Sequence, residues 1–435
     1  MRRISLSALI LTAIIVVLAG ALVAILLFVA SQPPPRRGIQ PLVEIAPYEP
    51  DSAKWGLNFP NQYSTFLLTE QNAISTTYGG SALISKLERD PRLVTLFAGM
   101  AFGVDYNEER GHRLSLKDVR ETRRLNEKTP ATCYSCKSAN PPALWAEMGM
   151  REFGKVKFSD MSARITEPVG CANCHEANTM RLIVTNPALE EALAAQGKDW
   201  RNFTRQEMRT VVCANCHVEY YFQGDDKYLV FPWSRGTHIE GIAQYYADTG
   251  FEDWKYPEAG TSMVKIQHPE YELYTADSTH YRAGVSCADC HMPYARDGAA
   301  KFSSHNIKSP LLMAEVACGA CHTDVAYVVE RTKRIQDQVH ETMSAAEDAL
   351  IAAIESLKAA ATDESADQVQ LNEARRLHRE AQLRWDFVLS ENSMGFHNPE
   401  EALRILAVAI DMARQAQLKA IAASDAALLA KALQQ

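Results

Sequence analysis

All ten cysteines of this chain fall in five Cys-x-x-Cys pairs, and the residue after each pair divides them into two kinds. Four pairs end in histidine: Cys171/Cys174/His175, Cys213/Cys216/His217, Cys287/Cys290/His291 and Cys318/Cys321/His322. The first, Cys133-Tyr-Ser-Cys136-Lys137, ends in lysine. Two thiols that become thioethers to a porphyrin, followed by a histidine that ligates the iron, are the attachment chemistry of c-type haem. Structural zinc would gather two such pairs around one ion. Five pairs are an odd number, however, and zinc asks for no histidine directly after the second cysteine. Disulfides, open to an exported chain, also leave the repeated histidine unexplained. Lysine in the ligand position makes the first haem unlike the other four, which predicts one reactive centre fed by four electron carriers.

A pure electron carrier needs a second strong ligand on its iron. Of twelve histidines, four lie in the motifs, leaving His112, His238, His268, His280, His305, His340, His378 and His397. That supply suffices for four bis-histidine haems without methionine. Met292, next to His291, cannot easily reach the opposite face. His340 and His378 fall in helical patterns amid charged neighbours and are expected at the surface. His112, His305 and His397 stand beside Gly, Ser or Asn, where a side chain can be aimed at a cofactor.

The elements that position these residues read as mainly α: haem-wrapping helices and loops, then long C-terminal helices, as in a multihaem cytochrome c. Residues 1–38 begin with Met-Arg-Arg and an apolar run from about Ile4 to Ala30, long enough to span a bilayer. No convincing cleavage site follows, so a retained membrane anchor is favoured over a removed signal. Covalent haem attachment outside the cytoplasm orients it with the haem region on the extracytoplasmic, periplasmic side. Proline-rich residues 32–60 predict an extended spacer. Residues 39–325 hold every attachment motif, in short helical patterns and Pro/Gly/Asn-rich loops with no convincing strand alternation. Residues 326–435 are rich in Ala, Leu, Glu, Gln, Lys and Arg, good helix formers. Asn398-Pro399-Glu400-Glu401 is a helix start, with a capping side chain, a proline in the first turn and acids at the positive dipole end. Long helices without cysteine predict a bundle or a homodimer interface. The net charge of −8 and pI of about 5.9 argue against a nucleic-acid partner.

The lysine motif, the run Cys213-Ala-Asn-Cys216-His217-Val218-Glu219-Tyr220-Tyr221-Phe222 and the segment Lys265-Ile266-Gln267-His268-Pro269-Glu270 resemble the pentahaem ammonia-forming cytochrome c nitrite reductases. The resemblance implies six-electron reduction of nitrite to ammonium at a Lys137-ligated haem, five haems c per chain and a calcium ion. It places Tyr220 and His268 on the open face with an arginine: Arg124 by register, Arg120 and Arg123 being the alternatives. It assigns calcium to the Glu219 and Gln267 side chains and the Tyr220 and Lys265 carbonyls. Oxygen donors suit calcium, and the ion would pin both catalytic side chains through their neighbours. As distal ligands it implies His305 for the second haem, His112 for the third, His397 for the fourth and His280 for the fifth. His238 has no counterpart. It also implies a small membrane tetrahaem quinol dehydrogenase as electron donor.

Lysine can ligate iron only as the neutral amine, against an unperturbed pKa of about 10.4. His268 suits a proton relay because an unperturbed imidazole titrates near neutrality. Arg110, Arg113, Lys117, Arg120, Arg123, Arg124 and Lys128 could focus an anion toward the site. The competing readings are a non-catalytic multihaem carrier, which predicts histidine after every pair, and another multihaem reductase acting on hydroxylamine or sulfite.

Overall fold

Good helix formers dominate the end of the chain, and there the computed structural model has three long helices: Val325–Thr362, Gln368–Ser390 and Pro399–Ala432. The structure describes residues 5–31 and 41–432. Each long helix starts at a side-chain cap. Asp324 accepts from the Tyr327 amide, Asp367 from Val369 and Gln370, and Asn398 from Glu401. The first buries Val339, Met343, Ala346, Leu350, Ile354 and Leu357 at helical spacing, and the second buries Leu371, Ala374, Ala381, Trp385 and Val388. Facing them, the third presents Ile405 and Leu406 with a stripe of small residues, Ala402, Ala409, Ala413, Ala416, Ala420 and Ala423. Small side chains let the backbones approach, so the three helices share one apolar core.

Upstream, helices are short, the longest between Val43 and Val325 being Ile239–Thr249. Four attachment pairs begin or sit within single turns at Ala131–Tyr134, Cys171–Asn173, Cys213–Asn215 and Cys287–His291, and the fifth follows the helix Ala314–Ala317. One turn suits the motif, because residues three apart in a tight helix lie on the same face.

The chain divides into two units, 1–42 and 43–435. The first holds the helix Leu6–Ser31, whose span Ile10–Phe28 is long and apolar enough to cross a membrane. A signal segment passes the same test, so the helix alone marks a membrane-proximal or signal segment. Residues 32–40, with the boundary at 38, lie outside the described residues. The expected spacer up to residue 60 is corrected from Val43 onward. Ile45 and Trp55 are buried with Ala172 and Ala177, and Asp51 caps a helix at Ser52–Asn58. The Trp55 indole donates to the Glu49 carbonyl within this stretch, and Ser52 Oγ accepts from the Cys171 amide at 3.3 Å, which fastens the stretch to the second motif.

Two other expectations change. Among the described residues three antiparallel hairpins occur: Tyr221–Gln223 with Tyr228–Val230, Trp254–Lys255 with Ser262–Met263, and Tyr294–Asp297 with Ala300–Ser303. Strands of two to four residues are too short for a period-two pattern. His378, expected at the surface, is fully buried, whereas His340 is exposed. Its Nδ1 lies 3.1 Å from Thr261 Oγ1 and its Nε2 3.2 Å from Gln382 Oε1, while Gln382 Nε2 donates to the Leu96 carbonyl. Burial pushes the imidazole down to about 4.

His378→Ala should therefore destabilise the fold by about 1–3 kcal/mol, the cost of stranding buried polar partners. With a folded pKa below the unfolded value of about 6.5, the native His378 disfavours its proton, so its contribution is full above pH 6.5 and is lost as pH falls toward 4. Chemical denaturation across pH 4–7 should show a shallower acid loss in the variant.

Candidate active site

Imidazole rings from distant parts of the sequence meet in four pairs. Each pair joins one motif histidine to one of the remaining eight. His175 faces His305 with ring centres 6.2 Å apart, His217 faces His112 at 6.4 Å, His291 faces His397 at 6.3 Å and His322 faces His280 at 6.4 Å. The attachment turns are held by their own asparagines. Asn173 Nδ2 donates to the Ser138 carbonyl, and Asn215 Oδ1 accepts from Thr185 and Asn186. These bonds also tie consecutive motifs together. Cys136 and Cys216 lie within thiol hydrogen-bonding reach, as do Cys213 and Cys287. Cys216 also senses Cys174, and Cys290 senses Cys318 and Cys321. The third motif thus lies against the first and the fourth, Asn215 Nδ2 donates to the Asn173 carbonyl of the second at 3.3 Å, and the fifth lies near the fourth.

Lys137 has a different neighbour. Its Nζ donates to Glu109 Oε2 at 3.1 Å, and Glu109 Oε1 is 3.8 Å from His268 Nε2. Burial opposes charge on Lys137, but Glu109 outweighs it and holds the ammonium above its usual pKa. Ligating a metal would require Lys137 to release both the proton and Glu109. The reading of His268 as a near-neutral relay also changes. Desolvation pushes it to about 4 despite Glu109 and Glu270, the latter 3.9 Å from its Nδ1. At that value the imidazole is uncharged near pH 7 and has one ring N–H to donate.

The three arginines of the Asp118–Arg124 stretch point to different places. Arg120 donates to the Ser162 and Ile165 carbonyls, and exposed Arg123 reaches the Val104 carbonyl. The Arg124 guanidinium lies 4.2 Å from the Phe102 ring centre, its Nε donates to Thr122 Oγ1, and its charge acts on Cys133, Lys137, Glu109 and Tyr220. Tyr220 adjoins the first cysteine pair, and burial raises its phenol well above the usual range. Much of the predicted basic cluster is spent locally: Arg110 pairs with Asp118, Arg113 with Glu70 and Lys117 with Glu121.

The expected calcium donors converge in part. Buried Glu219 accepts from the Gln267 amide through Oε2 at 2.6 Å and from the Tyr246 hydroxyl through Oε1 at 2.6 Å. Gln267 Nε2 lies 3.2 Å from the Lys265 carbonyl oxygen. The buried Glu272 alongside accepts from Glu219 N and Trp233 Nε1 through Oε1, while its Oε2 has no partner. Desolvation raises the Glu219 carboxyl well above the ordinary range and the Glu272 carboxyl to about 8.

Residues 51–434 match the family Cytochrome c552. The chain is 40% identical over 383 residues to a cytochrome c-552 of Parabacteroides distasonis, covering 86% of this chain and 77% of that protein. It is 33% identical over 435 residues to one of Maridesulfovibrio salexigens, covering 93% and 84%. Among solved structures it is similar to the cytochrome c nitrite reductase of Desulfovibrio desulfuricans, a protein described with two calcium sites in its catalytic subunit. That match has 34% identity and a TM-score of 0.84, and covers 88% of each chain. The chain belongs to the cytochrome c552 family.

As a cytochrome c552 it is a multihaem c-type cytochrome of the oxidoreductase and electron-transfer kind, mainly helical as the sequence predicts. Its residues fit such cofactors. Imidazoles on opposite faces of one metal, with metal–nitrogen bonds of about 2.0 Å, hold their ring centres roughly 6.3 Å apart, and all four pairs stand close to that distance. Ligation needs neutral imidazole. Burial depresses His112 to about 3, His175 and His291 to about 4, and His280 and His305 in the same direction, whereas at His217 and His397 the carboxylates of Glu270 and Glu391 outweigh burial and raise the imidazole, so ligation there would have to displace a proton. For calcium, no group of three or more His, Cys, Asp or Glu side chains forms a metal cluster among the described residues. The fit rests instead on Glu219, the Gln267 amide and main-chain carbonyls, with a buried carboxylate that a cation would let ionise.

Sequence reasoning missed Glu109, Glu270, Glu272 and Tyr246. Glu270 lay within the segment already singled out, and Glu109 stands three residues before His112, so motif proximity offered a signal for both. Glu219→Ala should strand the Tyr246 hydroxyl and the Gln267 amide, costing roughly 1–3 kcal/mol for each buried group. Equilibrium unfolding of the haem-loaded protein should show the loss, and Glu219→Gln should recover part of it.

Proposed function

We propose that this cytochrome reduces nitrite to ammonium by six electrons and eight protons, releasing two waters, at a Lys137-ligated haem supplied by four bis-histidine haems. The observation that carries the reading is an asymmetry. Four motif histidines each face a second imidazole at 6.2–6.4 Å, whereas Lys137 faces none: it donates to Glu109, which lies 3.8 Å from His268, with the charge of Arg124 close by and Tyr220 beside the cysteines of the same motif. On this reading the five covalent haems supply electrons and an open iron position for the substrate. His305, His112, His397 and His280 are the distal ligands of the second to fifth haems. Arg124 neutralises the arriving anion, Tyr220 hydrogen-bonds bound species, and His268 donates to a departing oxygen. Donors placed where charge develops are usually the largest catalytic term. A calcium ion held by Glu219, Gln267 and the carbonyls of Tyr220 and Lys265 keeps Tyr220 and His268 in register.

The same reading sets the surroundings. The helix before residue 38 anchors the protein on the extracytoplasmic side of the membrane, residues 39–325 are the catalytic region, and a small tetrahaem quinol dehydrogenase is the donor. The long helices of 326–435 pair two chains as a homodimer, a role supported by exposed Leu418 and Ile421 on the third helix. The adjacency of the motifs supports a route in which electrons reach the first haem through the third.

Haem stoichiometry and identification of the nitrogen product test the proposal. Five haems and ammonium are expected; four haems, or no ammonium, would leave a multihaem carrier. Lys137→His should keep covalent haem on Cys133 and Cys136 and still bind nitrite, but turn over more slowly. His268→Asn should lower the rate by roughly 10²–10⁴, the scale for a general acid or an electrostatic donor, with a smaller effect on nitrite affinity. A small-molecule reductant bypasses the physiological donor in both assays. Full ammonium production by His268→Asn would remove this histidine from the mechanism.

A further inference from the structure

The turn that presents His397 is built around one buried carboxylate. Glu391, fully buried at the end of the second long helix, accepts from the Gly395 amide at 2.6 Å and from Ser393 Oγ at 2.7 and 2.9 Å. Its Oε2 lies 2.9 Å from His397 Nδ1, and Ser393 Oγ in turn accepts from the His397 amide. Within this turn Asn392, Met394 and Gly395 all take positive φ, at 56°, 51° and 76°. A methionine in that region is uncommon and persists only where the surroundings enforce it. Glu391 supplies that enforcement.

The other paired histidines are held differently. His175 Nδ1 faces the Met180 carbonyl at 3.0 Å, His305 the Ser303 carbonyl at 2.9 Å and His291 the Lys308 carbonyl at 3.3 Å. The nearest acid to His217 Nδ1, Glu270, is 3.7 Å away. Among the described residues, His397 is the paired histidine with a carboxylate within 3.0 Å of Nδ1. A carboxylate there can only accept, so Nδ1 carries the hydrogen and Nε2 keeps its lone pair toward the His291 side. Such an outer partner fixes the tautomer and raises ligand basicity, and hydrogen bonding around a haem ligand is one of the protein's controls on potential.

We propose that Glu391 is a positioning residue that makes His397 an unusually electron-donating ligand and thereby lowers the reduction potential of the haem shared by His291 and His397. The inference rests on the reading of His397 as an axial ligand. A more basic imidazole favours Fe(III) over Fe(II) in that one-electron couple, so the fourth haem passes its electron on readily and holds it poorly.

Redox titration of the full haem-loaded protein, followed optically and by EPR, tests the proposal with three variants. His397→Met marks the centre: it should change one low-spin haem signal. Glu391→Gln preserves shape and an acceptor but removes the charge, and should move that same haem to a more positive midpoint while leaving the others and the haem count unchanged. Ser393→Ala withdraws a competing donor from the carboxylate and should move it the opposite way. Opposed shifts at one haem are a signature that general loosening of the turn does not produce. If His397→Met leaves every low-spin signal unaltered, the ligand reading and this inference both fall. If His397→Met alters a haem but the other two variants leave its midpoint in place, or shift it in the same direction, the ligand reading stands and the role of Glu391 is overturned.

Discussion

One buried ion pair holds the candidate site to the rest of the fold. Lys265 Nζ and Asp386 Oδ1 are 2.8 Å apart, and both side chains are almost wholly out of solvent. Removing two charges from water is costly, and the cost is offset only when the remaining polar atoms are satisfied. Here they are. Lys265 also donates to Ser390 Oγ and to the Ile266 carbonyl, and Asp386 Oδ2 accepts from the Ile266 amide. The second long helix therefore fixes the backbone two residues before Gln267 and three before His268. Phe102 packs 4.8 Å from Lys265 Nζ and 4.2 Å from the Arg124 guanidinium, measured to its ring centre. Both the imidazole and the guanidinium of the site are thus located from the same buried charge.

The long helices are more than a scaffold at the chain's end. Their second member carries Asp386 and Ser390 toward the Lys265 segment, His378 and Gln382 toward the Thr261 hairpin and Leu96, and ends in Glu391 at the His397 turn. A single rigid rod sets the positions of elements separated by more than a hundred residues in sequence. A rod keeps such distances better than loops do, because its backbone bonds are all internal.

What could be read from sequence follows the range of the interactions. The attachment motifs are local, so their five positions, and the unlike first one, were legible from residue types alone. So were the long helices, whose caps and apolar stripes lie within the helices themselves. Local pattern only sorted the partner histidines, setting His340 and His378 aside and favouring His112, His305 and His397, and resemblance to a family ordered four of them. His378 was misread because its neighbours Arg375, Arg376, Arg379 and Glu380 suggested solvent. Arg375 and Arg379 are in fact directed at main-chain carbonyls of Ala259, Ser262 and Phe251, so charge there accompanies burial. Glu272, Asp386 and Glu391 gave no signal beyond that of ordinary acids, since their roles exist only once distant segments meet.

The adjacency of the motifs has a consequence for robustness. The first motif meets the third at Cys136 and Cys216 and the second through the Asn173–Ser138 bond, the second and third meet where Asn215 Nδ2 donates to the Asn173 carbonyl, and the third meets the fourth at Cys213 and Cys287. The first three motifs thus close a ring, from which the fourth branches at the third. Loosening the second motif leaves the first still held by the third, whereas loosening the turn around Cys213 and Cys216 disturbs the contacts to the first, second and fourth together. The third motif is accordingly where tolerance to sequence change should be smallest, because it is held to three others at once.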